Sequence, residues 1–252
     1  MDNLKKVFIT GSEGKIGQSF VDEYLDKYRN DYQLVCGYLE NQPIANNLEI
    51  TRIDITQIAT LRKAFMGVDT ILHLAGQPAE FMNFDKLIEP NIIGVYNVFE
   101  AARLENVKKI IFASSGHTVF GYPDTMNNIP ANIATKPDCL YGASKVFGES
   151  LCSVYAHNYN MSCLAVRIGG YTNESLKDFI ATYPNPEKNK SLMTTKRDLS
   201  QMFHKCIMSS EDLKFEIFSA ISNSKLKKLD IEHAKKTLGF DPQDNVHQIV
   251  EE

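Results

Sequence analysis

A glycine-rich turn near the start of the chain constrains the fold most. Thr10-Gly11-Ser12-Glu13-Gly14-Lys15-Ile16-Gly17 follows an apolar run, Val7-Phe8-Ile9, and opens a segment with Ile16, Phe20, Tyr24 and Tyr28 on one helical face. A strand that turns on glycines into a helix begins a parallel α/β unit. The first glycine permits a tight turn, the second lets backbone approach a pyrophosphate, and the third lets helix and strand pack closely. Spacing here is Gly-x2-Gly-x2-Gly, with Lys15 and Ile16 supplying the first helical amides to an anion. The alternative is a plain tight turn.

The same alternation continues. Short strands rich in Val, Ile and Leu are expected at 4–10, 33–38, 48–53, 70–74, 109–113, 162–168 and 215–219. Helices are expected at 16–28, 58–66, 90–104, 140–159, 196–208 and 231–238. Continuous apolar strands between helices are the pattern of a parallel sheet covered on both faces. The expected fold is α/β, a doubly wound parallel sheet (Rossmann fold) over 1–168, with a small C-terminal substrate lobe and final sheet and helix elements over 169–252, in one compact unit. The polar stretch 169–191 reads as loop around a short helix.

Composition removes several classes of function. Lys and Arg total 27 against 31 Asp and Glu, a net charge of −4, so no basic surface points to nucleic acid. Lys225, Lys227 and Lys228 read as a solvated face. Five scattered cysteines lack metal-ligand spacing, and no metal is expected. No signal peptide or membrane-length apolar run is present, so the expected compartment is the cytoplasm.

Tyr141-Gly-Ala-Ser-Lys145 carries the chemistry. Positions i and i+4 share a helical face. A nearby ammonium favours a phenolate, bringing a phenol towards use as a base. A hydroxyl from Ser115, upstream at the end of a strand, can hold the substrate oxygen while Tyr141 moves its proton. At the end of the second strand stands Tyr38-Leu39-Glu40-Asn41, where an acid reads the ribose hydroxyls of NAD. Glu40 is the acid in reach and no Arg or Lys follows closely, which favours NAD; without the usual Asp, NADP stays open. Asp54, before Ile55, can take the adenine amino group, cap the helix near Gln57, or do both.

Together these residues resemble the short-chain dehydrogenase/reductase superfamily, in its extended epimerase/dehydratase branch. The supporting motifs are Thr10 to Gly17, Asp54-Ile55, His73-Leu74-Ala75-Gly76, Asn91, Ser114-Ser115 and Tyr141 with Lys145. Within the branch, NIIGVYNVFEAAR, FASSGHTVFGYP, PDCLYGASKVFGES and AVRIGG are similar to strings of NAD-dependent uronate dehydrogenases. The resemblance implies Tyr141 as acid/base, Lys145 on the nicotinamide ribose and Ser115 on the reacting oxygen. It implies cofactor contacts from Gly11, Gly14, Lys15, Ile16, Gly17, Glu40, Asp54, Ile55, Leu74, Ala75, Gly76, Asn91 and the backbone of Ile168. It places Gln77, Gly116, His117 and Gly170 at the substrate.

This chain departs from that group at Gln77-Pro78, Gly116 and Gly170, and has no Arg between Arg167 and Arg197 to clamp a carboxylate. Lys188 and Lys190 are the cations available instead. His117 either meets substrate or caps the following turn, and His73 reads as structural. Phe81, Phe84, Tyr96 and Phe99 read as core or dimer interface, and a homodimer is expected. The implied activity is NAD(P)-dependent hydride transfer on a sugar or sugar-acid alcohol or lactol. The alternatives are a nucleotide-sugar epimerase or dehydratase that keeps its cofactor, and a cofactor-binding regulator without turnover.

Overall fold

The computed structural model describes residues 4–41, 48–78, 83–182 and 185–251. In chain order the elements of the first half are β1 (Lys6–Thr10), α1 (Lys15–Glu23), β2 (Gln33–Tyr38), β3 (Glu49–Arg52), α2 (Ile58–Phe65), β4 (Thr70–His73), α3 (Asp85–Leu87), α4 (Gly94–Leu104), β5 (Lys109–Ser115) and α5 (Leu140–Tyr159). There follow β6 (Ser162–Ile168), β7 (Gly170–Tyr171), α6 (Leu176–Ala181), α7 (Pro186–Lys190), β8 (Met193–Thr194), α8 (Lys196–Met208), β9 (Phe215–Ala220), α9 (Glu232–Leu238) and α10 (Val246–Glu251).

The main sheet runs β3-β2-β1-β4-β5-β6-β9, with every pairing parallel. Its order reverses between β1 and β4, the place where such sheets open a crevice at their carboxyl ends. The register sets Thr10 beside His73 and Ser115 beside Ile168, so the residues flanking the crevice end their strands at one level. Apolar side chains fill both faces. Val7, Ile9, Leu164 and Phe203 lie in one cluster, and Phe8, Phe65, Phe99 and Phe112 in the other. The last strand, β9, pairs with β6 at the sheet edge, so the C-terminal part of the chain completes the sheet.

Three segments differ from the sequence expectations. The helix expected at 16–28 ends at Glu23 and continues as a π-turn, Tyr24–Tyr28. There Tyr24 donates to the Tyr32 carbonyl at 2.8 Å and accepts from the Leu34 amide at 3.3 Å, tying the helix end to β2. The helix expected at 90–104 begins as a π-turn, Ile88–Ile93, in which the Gly94 amide reaches back to the Glu89 carbonyl. Pro90 sits inside that turn and has no N–H to give an α ladder. The stretch 169–191 holds two helices and a strand of the small parallel pair β7–β8. Ser175 caps α6 and Asn185 caps α7, with Pro186 in its first turn.

One side chain expected on a solvated face is placed otherwise. Lys228 is buried, donating to the Pro123 and Met126 carbonyls at 2.9 and 3.0 Å, so it belongs to no solvated face. Phe99 is in the core, whereas Phe84 and Tyr96 are exposed; Phe81 lies outside the described residues. Among the described residues no helix is long and apolar enough to cross a membrane.

Candidate active site

The crevice at the switch point is a cavity of about 870 Å³, within the usual range for a small-molecule site. Its floor is the glycine turn. Gly11 has φ +71°, a left-handed conformation that favours glycine. A Cβ on Gly17 would stand 2.2 Å from the Gly11 carbonyl oxygen, so the close packing of α1 on the turn requires glycine there. A Cβ on Gly14 would come no nearer than 3.4 Å to other protein atoms. That glycine is spared by the protein itself and leaves its outer side free for a ligand. Gly14 is also the N-cap of α1 and makes no side-chain cap, so the first helical amides, Lys15 and Ile16 among them, remain available to phosphate. These features fit a dinucleotide. Lys15 is exposed at the cavity edge, 3.9 Å from Glu174.

The second wall is the β4 end. Leu74 and Ala75 follow β1 closely: the Leu74 amide donates to the Thr10 carbonyl and the Ala75 amide to Thr10 Oγ1, both at 3.2 Å. Thr10 Oγ1 also lies 2.7 Å from His73 Nδ1. His73 Nε2 is buried and has no hydrogen-bond partner among the described residues. His73 is buried, and burial followed by the Lys145 charge pushes its pKa down to about 3. It is a neutral structural residue, as read from the sequence.

Asn91, in the π-turn Ile88–Ile93, does not line the cavity but is buried beside it. Its Oδ1 accepts the Gln77 amide at 2.7 Å, and its Nδ2 donates to the Gln77 carbonyl and to Ser144 Oγ, each at 3.1 Å. Ser144 in turn donates to the Tyr141 carbonyl at 2.7 Å. One amide side chain therefore locks the Gly76-Gln77 backbone to the helix that carries Tyr141 and Lys145. π-Turns recur at functional sites, and this one puts Asn91 between two walls.

The third wall holds Ser115, Tyr141 and Lys145, all lining the same cavity. Lys145 is 7% exposed, donates to the Ala113 carbonyl at 2.9 Å, and has its Nζ 5.5 Å from the Tyr141 ring centre. Burial lowers its pKa to about 8. Ser115 Oγ accepts the His117 amide at 3.2 Å. His117 Nδ1 is 2.9 Å from Asp138, and its ring packs against Phe120 and Tyr141. His117 thus both lines the cavity and closes the turn after Ser115. Its ligand atom, with those of Asp138 and Cys139, forms a group within 4.8 Å, but Cys139 Sγ caps α5 by accepting the Gly142 amide.

Not every expected contact is on the cavity. Gly116 is buried, and a Cβ there would lie 2.1 Å from the Phe120 ring; Phe120, not Gly116, faces the cavity. Asp54 makes a short local turn, accepting from the amide and hydroxyl of Thr56 at 2.8 and 2.7 Å, and leaves α2 without a side-chain cap at Gln57. Ile55 packs where a Gly94 side chain would stand. Glu40 has an exposed side chain, while its amide points to Glu13. Gln77, Ile168 and Gly170 do line the cavity. Of the two candidate cations, Lys188 lines it and lies 2.8 Å from Asp124, whereas Lys190 pairs with Glu187 away from it. Sequence reading overlooked Glu13, Phe120 and Asp138. The single acid inside the glycine turn was a visible signal; the other two show only in space.

A family model described as NAD dependent epimerase/dehydratase family matches residues 7–172. The chain belongs to that family. It is an NAD-dependent oxidoreductase. An NAD-dependent glucose-6-phosphate dehydrogenase from Haloferax volcanii is 31% identical, over 95% of this chain and 93% of the relative. A uronate dehydrogenase from Pseudomonas putida is 30% identical, over 96% and 85%. The structure of a substituted uronate dehydrogenase from Agrobacterium tumefaciens, complexed with NAD, superposes with a TM-score of 0.83 at 27% identity, covering 98% of this chain and 88% of that one.

Proposed function

We propose that the protein oxidises the anomeric hydroxyl of an anionic aldose, a sugar acid or a sugar phosphate, to the lactone. The observation that carries this reading is the buried Lys145 ammonium, 5.5 Å from the Tyr141 ring, in one cavity with Ser115 and Lys188. Bound NAD supplies the acceptor for the hydride that leaves the anomeric carbon. Tyr141 takes the hydroxyl proton as the carbonyl forms. Lys145 remains largely protonated at neutral pH with a pKa of about 8, and its charge favours the phenolate. The Ser115 oxygen already accepts the His117 amide, so its hydrogen is available to the substrate oxygen. Asn91 holds the Gln77 backbone and, through Ser144, the Tyr141 helix, which keeps these groups in register.

Lys188 is the cation for the substrate's acidic group. It sits on α7, in the C-terminal part of the chain, and its present partner Asp124 is exposed and readily exchanged for a substrate anion. Lysine acts there as a point charge without the bidentate fork of arginine. That suits a site that does not demand a flat carboxylate. The relatives named for glucose 6-phosphate and for uronates motivate both anions.

The test is a panel of aldoses with NAD, read by absorbance of the reduced nicotinamide: glucuronate, galacturonate, glucose 6-phosphate, glucose and arabinose. Turnover of an anionic aldose is expected, with KM raised about tenfold and kcat less affected in Lys188→Ala. Equal turnover of neutral sugars, or no reaction with any aldose, contradicts the proposal. The five free cysteines fit a reducing compartment, and we place the reaction in the cytoplasm. A homodimer through α4 and α5 accounts for the exposed Tyr96, Val154 and Tyr159 on those helices. Tyr96→Glu then yields monomer in sedimentation.

A further inference from the structure

The end of β2, where a family-type site reads the ribose nearest adenine, lacks an inward acid. Leu39, Glu40 and Asn41 are exposed there. Instead, three consecutive amides converge on one oxygen of another segment. The Leu39, Glu40 and Asn41 N–H groups donate to Glu13 Oε2 at 3.1, 3.2 and 3.1 Å. Successive backbone N–H groups that point to a common centre form an anion nest. This nest is filled by a carboxylate from the glycine turn itself. Glu13 also lines the cavity. Beside it, Arg52 on β3 donates from Nε to the Leu39 carbonyl at 3.0 Å. A cation and three amides therefore stand ready for an anion, and the chain's own anion takes the place.

We propose that Glu13, not Glu40, sets the preference of this protein for NAD over NADP. The carboxylate consumes the amides that a ribose 2′-phosphate would use, and its charge repels that phosphate. A carboxylate has acceptor capacity beyond three hydrogen bonds, so it also serves for the ribose hydroxyls of NAD. Glu13 thus performs from the first loop the function that an acid on the second strand usually performs. Without Glu13, the nest and Arg52 become a phosphate site. The proposal rests on the reading that the glycine turn holds the dinucleotide.

Binding separates the two readings without relying on turnover. Wild type, Glu13→Gln, Glu13→Ala and Glu40→Gln are titrated with NADH and NADPH by fluorescence, and with ADP and adenosine 2′,5′-bisphosphate by calorimetry. Glu13→Gln keeps an acceptor for the three amides and removes only the charge, so it preserves the loop if the alanine variant does not fold. Wild type is expected to prefer NADH. Both Glu13 variants are expected to shift the NADPH:NADH affinity ratio by about tenfold or more towards NADPH, with the same shift for the bisphosphate against ADP. Glu40→Gln is expected to leave the ratio unchanged. NADH binding with an unaltered ratio in the Glu13 variants, or a shift carried by Glu40→Gln, overturns the proposal alone. Binding of neither dinucleotide by wild type overturns the cofactor site and the proposal with it.

Discussion

Lys145 Nζ lies 5.5 Å from the centre of the Tyr141 ring and is held by the Ala113 carbonyl at 2.9 Å. This places an ammonium in a buried site at a cost to folding, because burial lowers its pKa from 10.5 to about 8. The unfolded chain keeps that proton between those two values and the folded chain gives it up. Wild-type stability therefore gains on that of Lys145→Met as pH rises from about 8 to 10.5, by roughly 3 kcal/mol at 1.36 kcal/mol per unit. Urea unfolding of both proteins across that range reads the difference. Turnover of Lys145→Met at neutral pH falls by about 100-fold or more. A pH-independent stability difference between the two proteins counts against the lowered pKa of the buried Lys145.

Glu149 and Arg167 form a second buried pair, with two hydrogen bonds of 2.8 Å each between α5 and β6. Ser114 adds a 2.6 Å bond to the carboxylate, and Arg167 reaches the Ala131 carbonyl at 3.0 Å. This network fixes the Tyr141 helix against the strand that ends at Ile168. Removing one charge leaves the other stranded, so Glu149→Leu or Arg167→Met alone destabilises by about 3–5 kcal/mol. The double variant loses less than the sum of the two. Denaturant unfolding of the four proteins tests this, and strict additivity contradicts it.

His73 makes the fold sensitive to acid. Its pKa lies at about 3 in the folded chain, against 6.5 for the free group, through burial and the nearby Lys145. As pH falls below 6.5, the unfolded chain takes a proton that the folded chain refuses. Stability is lost by about 1.4 kcal/mol per pH unit in that window. His73→Gln is expected to show a shallower loss between neutral pH and pH 4.5 or so, measured by thermal melting. Equal slopes contradict the assignment of a neutral buried imidazole.

The sheet was legible because its strands are unbroken runs of branched apolar residues, and helices cover both faces. Residues 140–159, 162–168 and 196–208 form the elements read from sequence at the same bounds. The candidate pair Tyr141 and Lys145 was legible because helical spacing alone puts them on one face. What sequence did not carry was set by distant contacts. The π-turn around Asn91 depends on Pro90 and on what Asn91 binds across the crevice. The two-residue strands β7 and β8 are too short for any periodicity. Lys228 gives no hint in its neighbours that three backbone carbonyls surround it. Asp138 meets His117 only because the chain returns past Ser115 before entering α5.

The most direct measurement is on Tyr141→Phe, which keeps the ring and removes only the hydroxyl. NADH titration by fluorescence is expected to give an affinity within about threefold of wild type, with turnover of the aldose reduced by about 100-fold or more. Turnover that survives within a few-fold of wild type, with the cofactor still bound, contradicts Tyr141 as the group that moves the proton.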